Sequence, residues 1–585
     1  MAGGTSSLDG KLLVAAIDFG TAYSGYAFSF RSDYRLDPLK IEVNHWTGNG
    51  SQMMSPKAPS SVLLNPDKTF KSFGYMAEEE YSSLVENGQH QDWYFFTKIK
   101  MRLLYKENIS RADTLEDECG KPMLGLTILS MIIRYLKDDL FKRLEQRGMP
   151  LRAQDILWVL TVPAIWSDAA KQFTKEATEE AGIKSDDIML VYEPEAAALY
   201  CRFQKMQNIS NAKDDSNLSK KKKMLVFDMG GGTTDISIIK IISEREIHIV
   251  ERACGGAFGG VFINEEFIQW LEDVFGKDMI KEFKKKHRSD FMLLIENFET
   301  KKRLIKPDDD TPICFQIPLS LKASSEKVWG YSLEEHLDKM SKSSVQVKKR
   351  GKLFIKSSFI LNNFFLPIAK DVFEELRKAL SKHGDIDCVL AVGGLAQSPA
   401  VVSEIRKYVK DIPVYVPFDS SLAVVSGAVL YGHENNIIKA RVCLYSYGIQ
   451  TMRPFIKGDD ENKKVDQEGE TWCKHSFRAL YKAGDLVKLG DVSSYNLVES
   501  FEDENRNHKR FKPIRCVLFT SKEKDVRYVT DEGCKEHGTI DIDVPEGGFP
   551  VHYECTVELE FAGTEIIARL KDENGTKTIR LEFMN

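Results

Sequence analysis

None of the ten cysteines stands at C-x-x-C spacing from another, and all are widely scattered. That excludes a disulfide framework and gives no sign of a zinc site or a redox pair. No run approaches the ~18 uninterrupted apolar residues of a membrane span. The nearest candidate, residues 124–136, carries Thr127 and Arg134 and continues into Lys137 and Asp138, so it reads as a buried amphipathic helix. The opening Met-Ala-Gly-Gly-Thr-Ser-Ser has no basic segment followed by an apolar run, and residue 2 is Ala, so neither a signal peptide nor myristoylation is expected. Charge of one sign is also lacking: 81 basic residues against 87 acidic ones leave −6 over 585 residues, too mild for a protein that binds phosphate backbones. The expectation is a cytoplasmic or nuclear protein with no membrane span and no nucleic-acid partner. There is no G-x-x-x-x-G-K-[ST], so a P-loop nucleotidase is excluded too.

What is present is an ordinary globular balance, 42% hydrophobic and 29% charged. At roughly 150 residues per domain, the length allows about four compact units or two large ones. Short apolar runs at 12–17, 156–162 and 189–192 read as buried strands, and 124–146, 167–181 and 195–205 as helices, with Ser167-Asp168 able to cap the second. A similar succession begins again at Met224, with strands at 224–227, 236–241, 248–252 and 388–392. Its helices fall at 264–274, 291–305, 359–382 and 399–409. Such alternation predicts α/β layers. Two polar stretches, 204–223 and 322–352, read as surface insertions, and the lysine run 220–223 as a solvated loop rather than an import signal. After about residue 436 the pattern changes. Residues 553–561 alternate with period two, 539–544 do likewise, and Asn574-Gly575 separates strand candidates at 565–571 and 577–583. We therefore expect a flexible N-terminus at 1–10, a two-lobed unit at 11–435 (lobes about 11–205 and 222–435) and a separate antiparallel β-domain at 436–585.

Two strand ends carry the chemistry. Strand 12–17 leads into Asp18-Phe19-Gly20-Thr21-Ala22-Tyr23. Strand 224–227 leads into Asp228-Met229-Gly230-Gly231-Gly232-Thr233-Thr234-Asp235. Glycines let backbone N–H groups approach a phosphate, threonine adds a hydroxyl donor, and an aspartate can hold a hydrated Mg²⁺ that the phosphate also binds. One such turn is commonplace. Two of them, 210 residues apart and each opening an α/β succession, suggest two lobes clamping phosphates between them. A third turn, Gly393-Gly394, follows strand 388–392 and suits close approach of a nucleoside.

These residues resemble the actin-like ATPase superfamily and, within it, the 70-kDa heat-shock protein family. Asp18–Thr21 looks like the family's first phosphate loop and Asp228–Asp235 its second. Val162-Pro163-Ala164, Asp168, Ala181-Gly182-Ile183 and Glu193-Pro194-Glu195-Ala196-Ala197-Ala198 look like its connecting segment. Glu299–Leu304 is similar to its adenosine-contacting helix, Val392-Gly393-Gly394 to its adenosine loop, and 539–545 and 557–583 to the last strands of its substrate-binding β-subdomain. The fold implied is α/β: a duplicated, actin-like (ribonuclease-H-like) two-lobed ATPase domain followed by a smaller antiparallel β-domain. The cofactors implied are ATP or ADP with Mg²⁺, and the partners protein or peptide clients of the β-domain. By the same resemblance, Asp18, Asp228 and Asp235 would hold the Mg²⁺ shell. Gly20, Thr21, Ala22 and Tyr23, with Gly230, Gly231, Gly232 and Thr233, would cradle phosphates. Glu193 would orient the attacking water or the Mg²⁺ shell. Either Lys98 or Lys100 would face the γ-phosphate, and Glu299, Lys302, Arg303, Lys306, Gly393 and Gly394 would face the adenosine.

The chain also departs from the family's pattern. Ala22 stands where a second Thr is usual, Leu395-Ala396-Gln397 replaces Ser-Thr-Arg, and Lys306 stands in place of Ser. The leucine-rich charged linker is replaced by Glu434–Arg441, and no long helical lid or acidic terminal signal is seen. This is similar to the atypical member-12 branch of the family. The functions implied are an ATP-binding, chaperone-like, stress-response protein with slow hydrolysis; an ATP-gated scaffold or signalling adaptor with little hydrolysis; and, third, a small-molecule kinase of the same superfamily.

Overall fold

The structure, a computed structural model, describes residues 10–47, 54–104, 106, 109–204, 222–253, 258–307, 310–339, 344–348, 351–467, 469–501, 508–572, 575–579 and 581–584. Two large sheets organise the part that carries the motifs. In the first, the strand order is Ile188–Tyr192, Ile156–Val162, Leu13–Asp18, Tyr23–Phe30 and Glu42–Val43, and Ala58–Pro59 also pairs with Tyr23–Phe30. In the second, the order is Val414–Tyr415, Cys388–Val392, Lys223–Met229, Thr234–Ser243, Glu246–Ala253, Ile438–Val442 and Leu486–Lys488. The same local pattern occurs in both. Leu13–Asp18 runs parallel to Ile156–Val162 and antiparallel to Tyr23–Phe30. Lys223–Met229 runs parallel to Cys388–Val392 and antiparallel to Thr234–Ser243. Every residue of Leu13–Asp18, Ile156–Val162 and Cys388–Val392 is buried, as continuous apolar runs covered on both faces require.

Two helix starts carry a local signal. Ser167 Oγ accepts the Ala170 N–H at 3.2 Å and opens the helix Asp168–Glu180. Pro194 sits in the first turn of Glu193–Phe203, where its missing N–H costs nothing. This helix packs against Ala423–His433 between the two sheets. A side chain at Gly427 would strike the backbone of Ala196, and one at Gly432 would lie 2.8 Å from Val159 Cγ2. The small residues let one apolar cluster join both sheets, with Val14, Ala16 and Val159 from the first and Val226 and Leu390 from the second.

Composition reads 322–352 as a surface insertion, but its described residues carry regular elements and part of a core. Helices Leu319–Trp329 and Leu333–Lys339 lie here, and the strands Val345–Lys348 and Lys352–Lys356 form a small sheet with Pro312–Gln316. Leu333, Leu337, Val345, Leu353 and Ile355 are buried in one core with Leu225, Phe227 and Ile236 of the second large sheet. These few apolar residues are spaced among polar ones, so composition hides them. Of the other polar stretch, residues 205–221 lie outside the described residues, as does Asn574 of the expected Asn-Gly turn.

Beyond residue 436 the chain first lends two strands, Ile438–Val442 and Leu486–Lys488, to the second large sheet. The remainder forms a five-stranded sheet (Lys464–Gln467, Glu470–Tyr481, Ser446–Pro454, Ile514–Ser521, Lys535–Ile542) and a four-stranded one (Val492–Ser500, His552–Phe561, Ile566–Asp572, Gly575–Ile579). Their inner faces share a core: Ile449, Leu518 and Ile540 from the former meet Cys555, Val557 and Leu559 from the latter. This unit is docked on the helix Asp168–Glu180. Asp168 accepts from His537 Nε2 at 2.6 Å and from the Tyr447 hydroxyl at 3.3 Å. Lys171 Nζ donates to the Thr564 carbonyl at 2.5 Å, and Lys175 pairs with Glu565 at 3.0 Å. Met584 is buried in one core with Leu13, Ile17 and Leu160 of the first large sheet.

Candidate functional site

The antiparallel register places Asp228 opposite Asp235 at the mouth of the second hairpin. In the first sheet it places Asp18 opposite Gly25. The two acid-glycine turns then meet face to face. A Cβ on Gly232 would lie 2.6 Å from Thr21 Oγ1, and one on Gly231 would lie 2.9 Å from the Ala22 methyl. No larger residue fits at either position without separating the loops. The first loop is further held by Ser24 and Ser60: Gly20 N–H donates to Ser24 Oγ at 3.2 Å, and Ser60 Oγ donates to the Gly20 carbonyl at 2.7 Å. In the second, Gly230 N–H donates to the Thr233 carbonyl at 2.9 Å. Gly393, at φ 90°, takes a conformation that L side chains rarely adopt. A Cβ there would lie 2.7 Å from Asp228 Oδ1, so the third turn lies directly against that carboxylate.

Around these turns lie four buried or nearly buried carboxylates and two lysines. Lys100 Nζ pairs with Glu193 Oε1. Lys57 Nζ pairs with Asp18 Oδ2 at 2.5 Å, and Thr161 Oγ1 donates to Asp18 Oδ1 at 2.8 Å. Burial opposes ionisation of Asp18, yet Lys57 and then Lys100 hold its carboxyl below the usual range. Asp228 is the opposite case. Burial, reinforced by the charges of Glu193, Asp235 and Asp18, pushes it well above that range. Glu193 is also raised, by burial first, with Lys100 working against the shift and Asp18 adding to it. Burial and neighbouring charge thus push carboxyls of one cluster in opposite directions.

The sequence left Lys98 and Lys100 as alternatives, and their surroundings differ. Lys100 is buried against Glu193, whereas Lys98 reaches Glu265 at 2.5 Å with both side chains more than two-fifths exposed. Glu193 does not cap its own helix: that helix start has no side-chain cap, and the carboxylate turns to Lys100 instead. Near the end of the helix Arg288–Lys302, Glu299 accepts from Lys302 at 2.5 Å, from Asn264 at 2.7 Å and from Arg303 at 2.8 Å. Burial raises the Glu299 carboxyl, but Lys302 and Arg303 outweigh it and bring it down to about 2. Lys302 spends its protons on Glu299, Asn264 Oδ1 and the Gly260 carbonyl, and burial pushes its ammonium down to about 8. Lys302 therefore braces the helix Arg288–Lys302 against Gly260–Phe275. Arg303 is half-buried, and its charge and that of Glu299 act on Tyr23 of the first large sheet. Lys306 is exposed, and Leu395 and Ala396 are buried behind Gly394.

The carboxylates also say how a divalent cation would be held. Among the described residues, no three His, Cys, Asp or Glu side chains form a metal-binding group. Both Asp18 oxygens already accept protein hydrogen bonds. Asp228 and Asp235, mutually repelling and buried, fit a hydrated Mg²⁺ held by one or two carboxylates together with phosphate oxygens. Sequence reasoning missed Lys57. It lies in Pro56-Lys57-Ala58-Pro59, a stretch with no glycine turn and no periodicity, and only the pairing of Ala58 with Ser24 brings it to Asp18.

The fold and this cleft define a nucleotide-binding protein of the ATPase type. The chain belongs to the Hsp70 protein family, whose profile matches residues 45–468, and within it falls in the member-12 branch. It is 29% identical to mouse heat shock 70 kDa protein 12A over 98% of this chain and 92% of that protein. It is 26% identical to human heat shock 70 kDa protein 12B over 98% of this chain and 91% of that one. Similarity to the chaperone protein dnaK of Cyanidium caldarium is more limited, 24% identity over 75% of this chain. Among the described residues, no helix is long and apolar enough to cross a membrane.

Proposed function

We propose that this chain binds ATP between its two large sheets, hydrolyses it slowly to ADP, and uses the nucleotide state to bias partner binding by the docked β-domain, in the manner of a chaperone. The repeated hairpin pattern of the two sheets supports reading them as duplicated actin-like lobes. The observation that carries the proposal is the opposition of two glycine turns from different sheets over one cluster of carboxylates and lysines.

In this reading the backbone N–H groups of 20–23 and 230–233 bind the phosphates, and Thr21 and Thr233 add hydroxyl donors. Mg²⁺, held beside Asp228 and Asp235, would screen the phosphate charge. Lys100 fixes the Glu193 carboxylate, and Glu193, with its proton affinity raised by burial, orients the attacking water and accepts a hydrogen bond from it. Phosphoryl transfer to water asks mainly for positioning and charge stabilisation, which these groups provide. Tyr23, Glu299 and Arg303 line the nucleoside end. Closure of the lobes on nucleotide would move helix Asp168–Glu180 and, through Asp168 and Lys171, the β-domain docked on it.

A second reading, an ATP-gated scaffold with little turnover, is favoured by Ala22. Its methyl faces Gly231 where a hydroxyl would have donated to phosphate. Single-turnover hydrolysis of Mg²⁺–ATP, with and without an unfolded client, separates the two readings. Turnover stimulated by client supports the chaperone-like cycle, and tight binding without turnover supports the scaffold. In the same assay Lys100→Ala should lower turnover by about 10²–10³. Lys98→Ala, which removes only an exposed pair, should change it by no more than a few fold. Equal losses from the two would overturn the role given to Lys100.

A further inference from the structure

Residues 581–584 lie in a groove between the helix Asp168–Glu180 and the edge strand Lys535–Ile542. Leu581 is buried in the β-domain core with Ile540 and Leu559, Met584 in the core of the first large sheet, and Phe583 packs against both. Between these anchors the groove contacts the segment at each residue. Arg111 Nη2 donates to Glu582 Oε2 at 2.8 Å, and Gln172 Nε2 donates to Glu582 Oε1 at 3.0 Å. Gln172 Oε1 accepts the Phe583 N–H at 2.8 Å. Thr539 exchanges two backbone hydrogen bonds with Glu582, at 3.1 and 3.3 Å. The opposite wall is open at Gly538, where a Cβ would lie 2.7 Å from the Glu582 carbonyl oxygen and 3.0 Å from Phe583 Cδ1. Glu176 sets the two side chains that read the acid. It accepts from Arg111 Nε at 2.7 Å and Nη2 at 2.6 Å, and from Gln172 Nε2 at 3.0 Å. The donors are therefore aimed by the wall itself and not only by the segment that fills it.

We propose that this groove is a recognition site for short extended peptides of one pattern, an acidic residue followed by an aromatic and then a large aliphatic one. Residues 581–584 fill it in cis, and a segment of the same pattern from a partner protein takes it in trans. Charge complementarity selects the acid, because an arginine held by Glu176 presents its remaining donors to an incoming carboxylate. The bonds to Thr539 and Gln172 hold the peptide backbone whatever its sequence, as in addition of a strand to a sheet edge, and the two apolar seats supply the choice of side chain. The cis occupant is exchangeable. Among the described residues its backbone–backbone hydrogen bonds are both with Thr539, and the Glu582 side chain is 34% exposed.

The probe is a fluorescent peptide copying residues 578–585, titrated against the full-length protein and read by anisotropy. A tethered occupant competes at an effective concentration of order millimolar, so wild type should bind the peptide weakly. Met584→Asp unseats the cis segment and leaves the walls intact, and it should bind at least about tenfold more tightly than wild type. On that variant, a peptide with Lys at the position copied from Glu582 should lose at least about tenfold, and so should the native peptide once Gln172→Ala is added. Glu582→Ala weakens the cis occupant at the acid alone. It should also gain several-fold over wild type, and it decides the matter if Met584→Asp does not fold. Equal binding by wild type and both of these variants overturns the site, as does indifference to the peptide's Lys and to Gln172→Ala. A wild-type dimer that Met584→Asp dissolves would make the trans occupant a second copy of this chain and overturn the partner protein.

Discussion

Replacing Arg441 with Met should destabilise the protein by about 3–5 kcal/mol, read as a fall in the urea midpoint. Arg441 and Glu195 are 0% and 1% exposed and form a two-point pair, Nη2 to Oε2 at 2.7 Å and Nε to Oε1 at 3.0 Å. The arginine lies on Ile438–Val442, the strand that carries the chain out of the second sheet and towards the β-domain. The glutamate lies on Glu193–Phe203, one residue beyond Pro194 and two beyond the Glu193 that meets Lys100. Burial alone would lower the guanidinium's proton affinity, but Glu195 more than restores it. Removing only the arginine leaves a carboxylate in an apolar setting beside Tyr192 and Tyr431. Removing both charges, as Arg441→Met with Glu195→Met, should recover most of the loss, since the desolvation of each ion is then no longer required. A double variant as unstable as the single one would show that the two residues act independently. Because the pair ties the departing strand to the helix Glu193–Phe203, Arg441→Met should also expose the region after residue 442 to limited proteolysis.

How much of this was legible in the sequence depends on the range of the forces involved. The strands at 156–162 and 388–392 and the helix at 399–409 are found with the bounds expected, because continuous burial and a Pro at the first turn leave local marks. The Asp-Gly turns were legible for the same reason: an acid at a strand end followed by glycines is a local pattern. The buried residues within 322–352, here Leu333, Leu337 and Val345, were not legible because composition averages a few apolar positions away. Lys57, the Arg441–Glu195 pair and the docking of His537 on Asp168 left no local mark. Their partners lie 39, 246 and 369 residues apart, and only the strand order brings them together. Lys98 and Lys100 could not be told apart for a related reason: they are two residues apart in sequence but reach different helices, one to Glu265 and the other to Glu193.

Asp228→Asn should lower single-turnover hydrolysis by about 10²–10³ while making the nucleotide-free protein more stable, and these opposite signs distinguish a site residue from a structural one. The buried Asp228 carboxyl is raised by burial and by Glu193, Asp235 and Asp18, so the folded chain holds a proton that the unfolded chain releases near its ordinary value of about 4. Stability from this group is therefore full below that value and is lost as pH rises through the raised folded value. Asparagine keeps the shape and does not titrate. The difference in Tm between Asp228→Asn and wild type, without nucleotide or metal, should be close to zero at acid pH and grow in favour of the variant as pH rises. Mg²⁺–ATP should reverse the order, because ligand binding stabilises only the chain that binds it. Wild type then gains in Tm and the variant gains much less. A variant less stable than wild type at every pH would make Asp228 a structural acid of the Lys223–Met229 strand, and unchanged ATP binding and turnover would remove it from the site. Lys57 and Lys100 pair with Asp18 and Glu193, whereas burial and the neighbouring carboxylates favour the protonated form of Asp228 until a cation enters beside it.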